Sequence, residues 1–95
     1  MYAIAFDLVI ADLRQHYDGH VSQAYADIRA ALAPFGYYWV QGSVYHCDDN
    51  DLLKVTQAMN ALRALPWFPL CVRDIRAYKV EDWSDFTAWM KGNEP

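Results

Sequence analysis

The chain has 95 residues, 55% of them hydrophobic and 16% aromatic; this excludes a disordered chain and leaves no room for a second independent core. Eight Lys and Arg against twelve Asp and Glu give a net charge of −4, which argues against tight, sequence-blind binding of a polyanion but permits a local basic stripe. Cys47 and Cys71 belong to no Cys-x-x-Cys pair, which excludes a zinc knuckle. Two free thiols in a reducing cytoplasm fit better than a disulfide framework. No cationic segment leading into an apolar run opens the sequence, and no apolar stretch reaches the ~20 residues of a membrane span, so a cytoplasmic protein without membrane contact is expected.

Tyr2–Ile10 is a nearly continuous apolar run broken by Asp7, which predicts a buried strand. Ala11–His20 is polar, and Asp18-Gly19 marks a turn, so a loop is expected there. Val21, Tyr25, Ile28 and Leu32 fall at helical spacing and predict a helix over Val21–Ala33, with Ser22 as its cap and Pro34 and Gly36 ending it. Tyr37–Cys47 is rich in aromatic and β-branched residues and is divided by Gly42-Ser43. It reads either as two strands with a tight turn or as one strand with a bulge. Asp48, Asp49, Asn50 and Asp51 offer caps to a helix over Asp51–Ala64, whose apolar stripe is Leu52, Val55, Met59 and Leu62. Pro66 and Pro69 bracket a break, Cys71–Val80 reads as the last strand, and Ser84 can cap a short helix carrying Phe86, Trp89 and Met90.

The order β-α-β-β-α-β with a tail predicts one ferredoxin-like α+β sandwich domain spanning residues 1–95, with a short C-terminal helix. The first strand is apolar on both faces, Tyr2, Ile4, Phe6 and Leu8 on one and Ala3, Ala5 and Val9 beside Asp7 on the other. Two helices cover one face of a sheet, so a sheet-to-sheet homodimer is expected to cover the second.

Asp7 stands out, because a carboxylate in an apolar strand costs free energy unless it is paired or lies at a wet strand end. It reads either as the partner of Arg73 or Arg76, or as a catalytic or metal-binding group; two copies near a two-fold axis could hold a Mg²⁺. Arg73, Arg76 and Lys79 make the last strand the most basic segment, with Arg73 and Lys79 counted on one face and Arg76 on the other. These charges protect an edge strand or contact phosphate. His16 and His20 have metal spacing only on a helix, which Asp18-Gly19 argues against. His46 reads as a satisfied strand histidine. Ser43 lacks the flanking glycine of a nucleophile elbow. The four Trp read as core or interface anchors.

The segments YAIAFDL at Tyr2–Leu8, FGYYWVQGSVY at Phe35–Tyr45, ALRALPWFP at Ala61–Pro69 and VRDIRAYKVEDWSDFT at Val72–Thr87 resemble the virulence-associated protein D family, VapD. The resemblance runs in order from Met1 to about Thr87. It implies a homodimeric ferredoxin-like endoribonuclease related to CRISPR-associated protein 2, in some bacteria the toxin of a toxin–antitoxin pair. The family's acidic residue at the end of the first strand falls on Asp7, and the Ser of its Gln-Gly-Ser segment falls on Ser43. Catalysis by Asp7 and Ser43, RNA contact by Arg73, Arg76 and Lys79, and an antitoxin protein as partner are therefore expected. Asp7 acts either through Mg²⁺ or Mn²⁺ or as a metal-free general base, and the acidic net charge favours the metal. The rival reading is a non-catalytic dimeric adaptor that binds a protein partner.

Overall fold

The computed structural model describes residues 1–92. It contains strands β1 (Tyr2–Leu8), β2 (Tyr38–Gln41), β3 (Val44–Cys47) and β4 (Val72–Lys79), and helices α1 (Ile10–His16), α2 (Val21–Leu32), α3 (Leu52–Ala64), α4 (Phe68–Cys71) and α5 (Thr87–Met90). The sheet order is β2-β3-β1-β4, with every neighbouring pair antiparallel. This is the ferredoxin-like arrangement expected from the element order, with the first and last strands paired and the middle hairpin beside them.

One face of the sheet carries the core. Ile4 and Phe6 of β1 and Tyr45 and Cys47 of β3 pack against Leu13 of α1, Ala24, Ile28 and Leu32 of α2, Ala58 and Leu62 of α3, and Phe68 and Cys71 of α4. Phe6 stacks on Tyr45 at 6.1 Å and meets Phe68 edge-on at 5.5 Å. Truncating Ile28, which is fully buried, to Ala would cost about 2–5 kcal/mol through lost burial and the cavity left behind. On α3 the buried stripe runs through Ala58 and Leu62, while Leu52, placed on it by spacing, is exposed.

Several local expectations are corrected. The polar stretch after β1 is largely helical, since α1 covers Ile10–His16. Its two turns bury only Leu13, too few positions to show a 3.6-residue period. Ser22 does not cap α2. His20 does so from an extended backbone, with its N–H donating to Gln23 Oε1 at 2.8 Å and its carbonyl accepting from the Gln23 N–H at 2.9 Å. Asp51 caps α3 as expected, accepting from the Leu53 N–H at 2.9 Å. The Pro66–Pro69 break holds the single turn α4, which tolerates Pro69 because a first-turn N–H needs no helical partner. Before α5 it is Asp85, not Ser84, that accepts from the Thr87 N–H, at 2.8 Å.

Of the two readings of Tyr37–Cys47, the two-strand one holds. Gln41 pairs with Val44 across the Gly42-Ser43 turn, and a register shift lies between Trp39 and Gln41. Gly42 has φ 46° and no other residue of the turn has positive φ, the pattern of a two-residue turn opening on glycine.

The second face of the sheet is only partly covered. After β4 the chain turns back, and the Trp83 ring meets His46 edge-on at 5.1 Å. A groove of about 870 Å³ lies between this segment and the β2–β3 part of the open face, lined by Tyr38, His46, Tyr78, Trp83 and Phe86 among others.

Candidate active site

Asp7 is the last outward residue of β1, on the open face, and its side chain is 60% exposed. The strand-end position removes the desolvation cost that makes a carboxylate in an apolar run conspicuous. Directly opposite in the ladder stands a second carboxylate, Asp74 of β4. Immediately beyond, Leu8 pairs with Val72, so the register slips by one residue and Arg73 is the extra residue of a bulge. A bulge re-aims side chains. Here it turns Arg73 onto the face that carries Asp7, Asp74 and Arg76.

The result is a ladder of charge. Arg73 Nη2 donates to Asp7 Oδ2 at 2.7 Å, Arg73 Nε donates to Asp74 Oδ2 at 3.3 Å, and Arg76 Nη1 donates to Asp74 Oδ1 at 3.0 Å. The hydrogen bond that Arg73 donates to Asp74 and the charges of Asp7 and Asp74 hold Arg73 even more firmly protonated than usual. Among the described residues Asp7 Oδ1 takes part in no hydrogen bond.

Ser43 is brought to the same end of the sheet. Its carbonyl accepts from the Phe6 N–H at 3.2 Å, so the β2–β3 turn sits beside the residue before Asp7. The turn is braced from the other side by Trp39, whose Nε1 donates to the Gly42 carbonyl at 2.9 Å and whose ring lies 4.4 Å from the Arg29 guanidinium.

The expected basic stripe divides. Arg73 and Arg76 act on one face, because the bulge overturns the alternation that counted Arg73 with Lys79. Lys79 pairs with Tyr2 at the far end of the ladder, five residues or about 17 Å along the strand from the Asp7 level. It does not join the site. Asp74 was missed because a period-2 reading gives no cross-strand register; antiparallel pairing of the ends of β1 and β4 was the signal that could have found it.

A divalent ion fits this donor set poorly. Asp7 and Asp74 are both engaged by guanidinium groups, and among the described residues no cluster of three or more His, Cys, Asp or Glu could hold a metal. The two carboxylates and two guanidinium groups sum to zero, so within one chain Arg73 stands where a cation would. His16 ends α1 and His20 precedes α2, so the two histidines share no helix face.

The remaining polar groups lie away from this ladder. His46 is buried, its Nδ1 without a partner among the described residues, and burial pushes its imidazole down from the ordinary value against the opposing charge of Asp48. Tyr37 is buried, its hydroxyl without a hydrogen-bond partner among the described residues, and is pushed up to about 12 by that burial. Cys47 and Cys71 are free and buried, and burial raises the Cys71 thiol, so it is a poor nucleophile.

The fold and site together define a small ferredoxin-like protein with a carboxylate–arginine cluster at one end of its sheet, beside a glycine turn. No family model matches the chain. It is 54% identical over 91 residues to an endoribonuclease VapD homolog of Neisseria gonorrhoeae, covering 96% of this chain and 99% of that one. It is 54% identical over 92 residues to endoribonuclease VapD of Dichelobacter nodosus, covering 97% and 99%. To endoribonuclease VapD of Helicobacter pylori it is 48% identical over 93 residues, covering 96% and 99%. The chain belongs to the VapD endoribonuclease family.

Proposed function

We propose that this protein cuts RNA by metal-free transesterification, with Asp7 as general base. The observation that carries this reading is the Asp7 carboxylate, held by Arg73 at 2.7 Å through one oxygen while the other has no hydrogen bond among the described residues, at an exposed sheet end beside Ser43. The free oxygen takes the proton of a ribose 2′-hydroxyl, and the 2′-oxygen attacks the adjacent phosphorus. The bond from phosphorus to the 5′-oxygen breaks, and that oxygen takes a proton from solvent. A 2′,3′-cyclic phosphate and a 5′-hydroxyl result, and Asp7 returns its proton to water. Arg73 and Arg76 offset the charge that builds on the phosphate. Ser43 supports the site as a hydrogen-bond donor to a phosphate oxygen.

The test uses Asp7→Asn, which keeps size and removes charge. Cleavage should fall by about 100-fold or more with the fold intact by circular dichroism, and EDTA should leave the wild-type rate unchanged. Loss of activity in EDTA and its return with Mg²⁺ or Mn²⁺ would replace the general-base mechanism by a metal one. A folded Asp7→Asn protein cutting at the wild-type rate would remove catalysis by Asp7 and put the general base elsewhere; absence of any cleavage by the pure wild-type protein would favour the adaptor reading.

The working form in this proposal is a homodimer. Its support is the open sheet face, where Tyr38, Tyr78, Trp83 and Phe86 are all exposed, more aromatic surface than a small monomer ordinarily leaves wet. Light scattering at micromolar concentration should give about twice the chain mass; a clean monomer would remove the dimer from the proposal. The role of toxin, restrained by an antitoxin protein, rests on the family resemblance. The two free, buried thiols support a cytoplasmic setting.

A further inference from the structure

The geometry points to Trp39 as a positioning residue: its indole N–H holds the Gly42-Ser43 turn, and so fixes where the Ser43 hydroxyl stands beside the Asp7 end of the sheet. This rests on the reading of Ser43 as a donor to the phosphate and goes beyond it by naming what keeps that donor in place.

The turn has few other restraints. β2 is an edge strand of four residues, and the register slip between Trp39 and Gln41 leaves Val40 as an extra residue, so the ladder is interrupted just before the turn. Gly42 takes φ 46°, and a Cβ at that position would meet nothing within 4 Å, so no neighbouring side chain packs there to hold the glycine. The place of the turn then depends on two main-chain carbonyls. That of Ser43 accepts from the Phe6 N–H at 3.2 Å, the long end of the range for such bonds. That of Gly42 accepts from Trp39 Nε1 at 2.9 Å, the tighter of the two.

Trp39 is itself anchored to a rigid element. Burial does not explain so large a side chain here, since the residue is 50% exposed. The Arg29 guanidinium of α2 lies 4.4 Å from the centre of its ring, at the distance of a cation–π contact. Helix α2 thus reaches the turn through a guanidinium, an indole and one carbonyl. Among Phe, Tyr and Trp only the indole offers a ring N–H, which is the atom used. Without it the Gly42 carbonyl would turn to water and the Ser43 hydroxyl would sample more positions. Misplacing a donor costs rate rather than capture, because a transition-state contact depends on placement while Arg73 and Arg76 still attract the phosphate.

The experiment is a double-mutant cycle on kcat with Trp39→Phe and Ser43→Ala. Trp39→Phe keeps a ring beneath Arg29 and removes the donor; at an exposed position the fold should survive, which circular dichroism checks. If the Phe variant fails to fold, benzothienylalanine at position 39 keeps the indole shape and replaces only the N–H by sulfur. Ser43→Ala should lower kcat about 10-fold or more, as for loss of a donor to the phosphate. Trp39→Phe should lower kcat about fivefold with KM within about twofold. In the Ser43→Ala background the same change should cost less than about twofold, because Trp39 acts through Ser43; a merely structural role would cost the same in both backgrounds. Wild-type kcat in a folded protein lacking the donor, or equal losses in the two backgrounds, would overturn the assignment. If Ser43→Ala itself cuts at the wild-type rate, the reading of Ser43 fails and takes the positioning role with it; if Ser43→Ala collapses while Trp39→Phe does not, only the positioning role fails.

Discussion

The two ends of the open sheet face are built from opposite materials. At the end where β1 finishes, Asp7, Asp74, Arg73 and Arg76 stand in water and pair with one another. At the other end Tyr38 and Trp83 meet the buried His46, and Tyr78 stands opposite Ala3. Charge is cheap where it is solvated, and exposed ion pairs add little to stability. Aromatic surface is the reverse, since it adds adhesion and performs no proton transfer. The two ends should therefore separate on mutation, one changing rate without stability and the other stability without rate.

The largest expected effect breaks the charged end. Asp7→Asn should lower cleavage about 100-fold or more while the thermal midpoint hardly moves, because the lost ion pair is exposed. A large fall in thermal stability would show that Asp7 holds the fold together and would erase the contrast.

The aromatic end should answer the other way. Trp83→Ala removes an exposed ring that meets His46 edge-on. It should cost about 1–2 kcal/mol of stability and leave kcat within about twofold. Denaturant unfolding beside a cleavage assay measures both; a tenfold loss of kcat with unchanged stability would show that the tail serves the chemistry.

His46 adds a pH dependence to this end. Burial pushes its imidazole below the ordinary 6.5, with Asp48 the opposing charge, while Tyr38 of β2, Ala3 of β1 and Trp83 of the tail face it with no charge. As acid is added the unfolded chain takes up this proton first. The contribution of His46 to stability is thus full above about pH 6.5 and is lost as pH falls through that value toward the folded one. A His46→Gln variant should show a shallower fall in stability between neutral and mildly acid pH. An equally steep fall in the variant would assign the dependence to the carboxylates instead.

The same contrast explains what could be read before folding was known. The ferredoxin-like order was legible because each strand and long helix carries its own period, and Asp7 was legible because it interrupts an apolar run. Ser43 reached the site only through family resemblance; its closeness to Asp7 is a property of the turn docking on Phe6. Asp74 and the true face of Arg73 were hidden, because a one-residue bulge reverses side-chain alternation and leaves no mark in the composition. The helix α1 was hidden for another reason: it is held by a single buried side chain, Leu13, docked near α4. The partial covering of the open face by the chain's own tail was hidden as well, since nothing in the spacing of Trp83 shows that it folds back onto His46.

Lys79 gives the smallest effect and the sharpest use of the comparison. Lys79 and Arg76 stand three residues apart on the same strand with the same charge, and the sequence assigns both to RNA contact. Arg76 lies opposite Ala5 and is anchored on Asp74; Lys79 lies opposite Tyr2, at the aromatic end. If net positive charge along β4 simply attracts RNA, replacing either by Ala should weaken binding equally, and both losses should shrink with added salt. If placement decides, Arg76→Ala should lower kcat/KM about 5–10-fold, of the order expected for one charge-assisted hydrogen bond, and Lys79→Ala should stay within about twofold of wild type. Equal losses at the two positions would mean that RNA runs the whole length of β4, and the division of the open face into a reactive end and an adhesive end would fail with it.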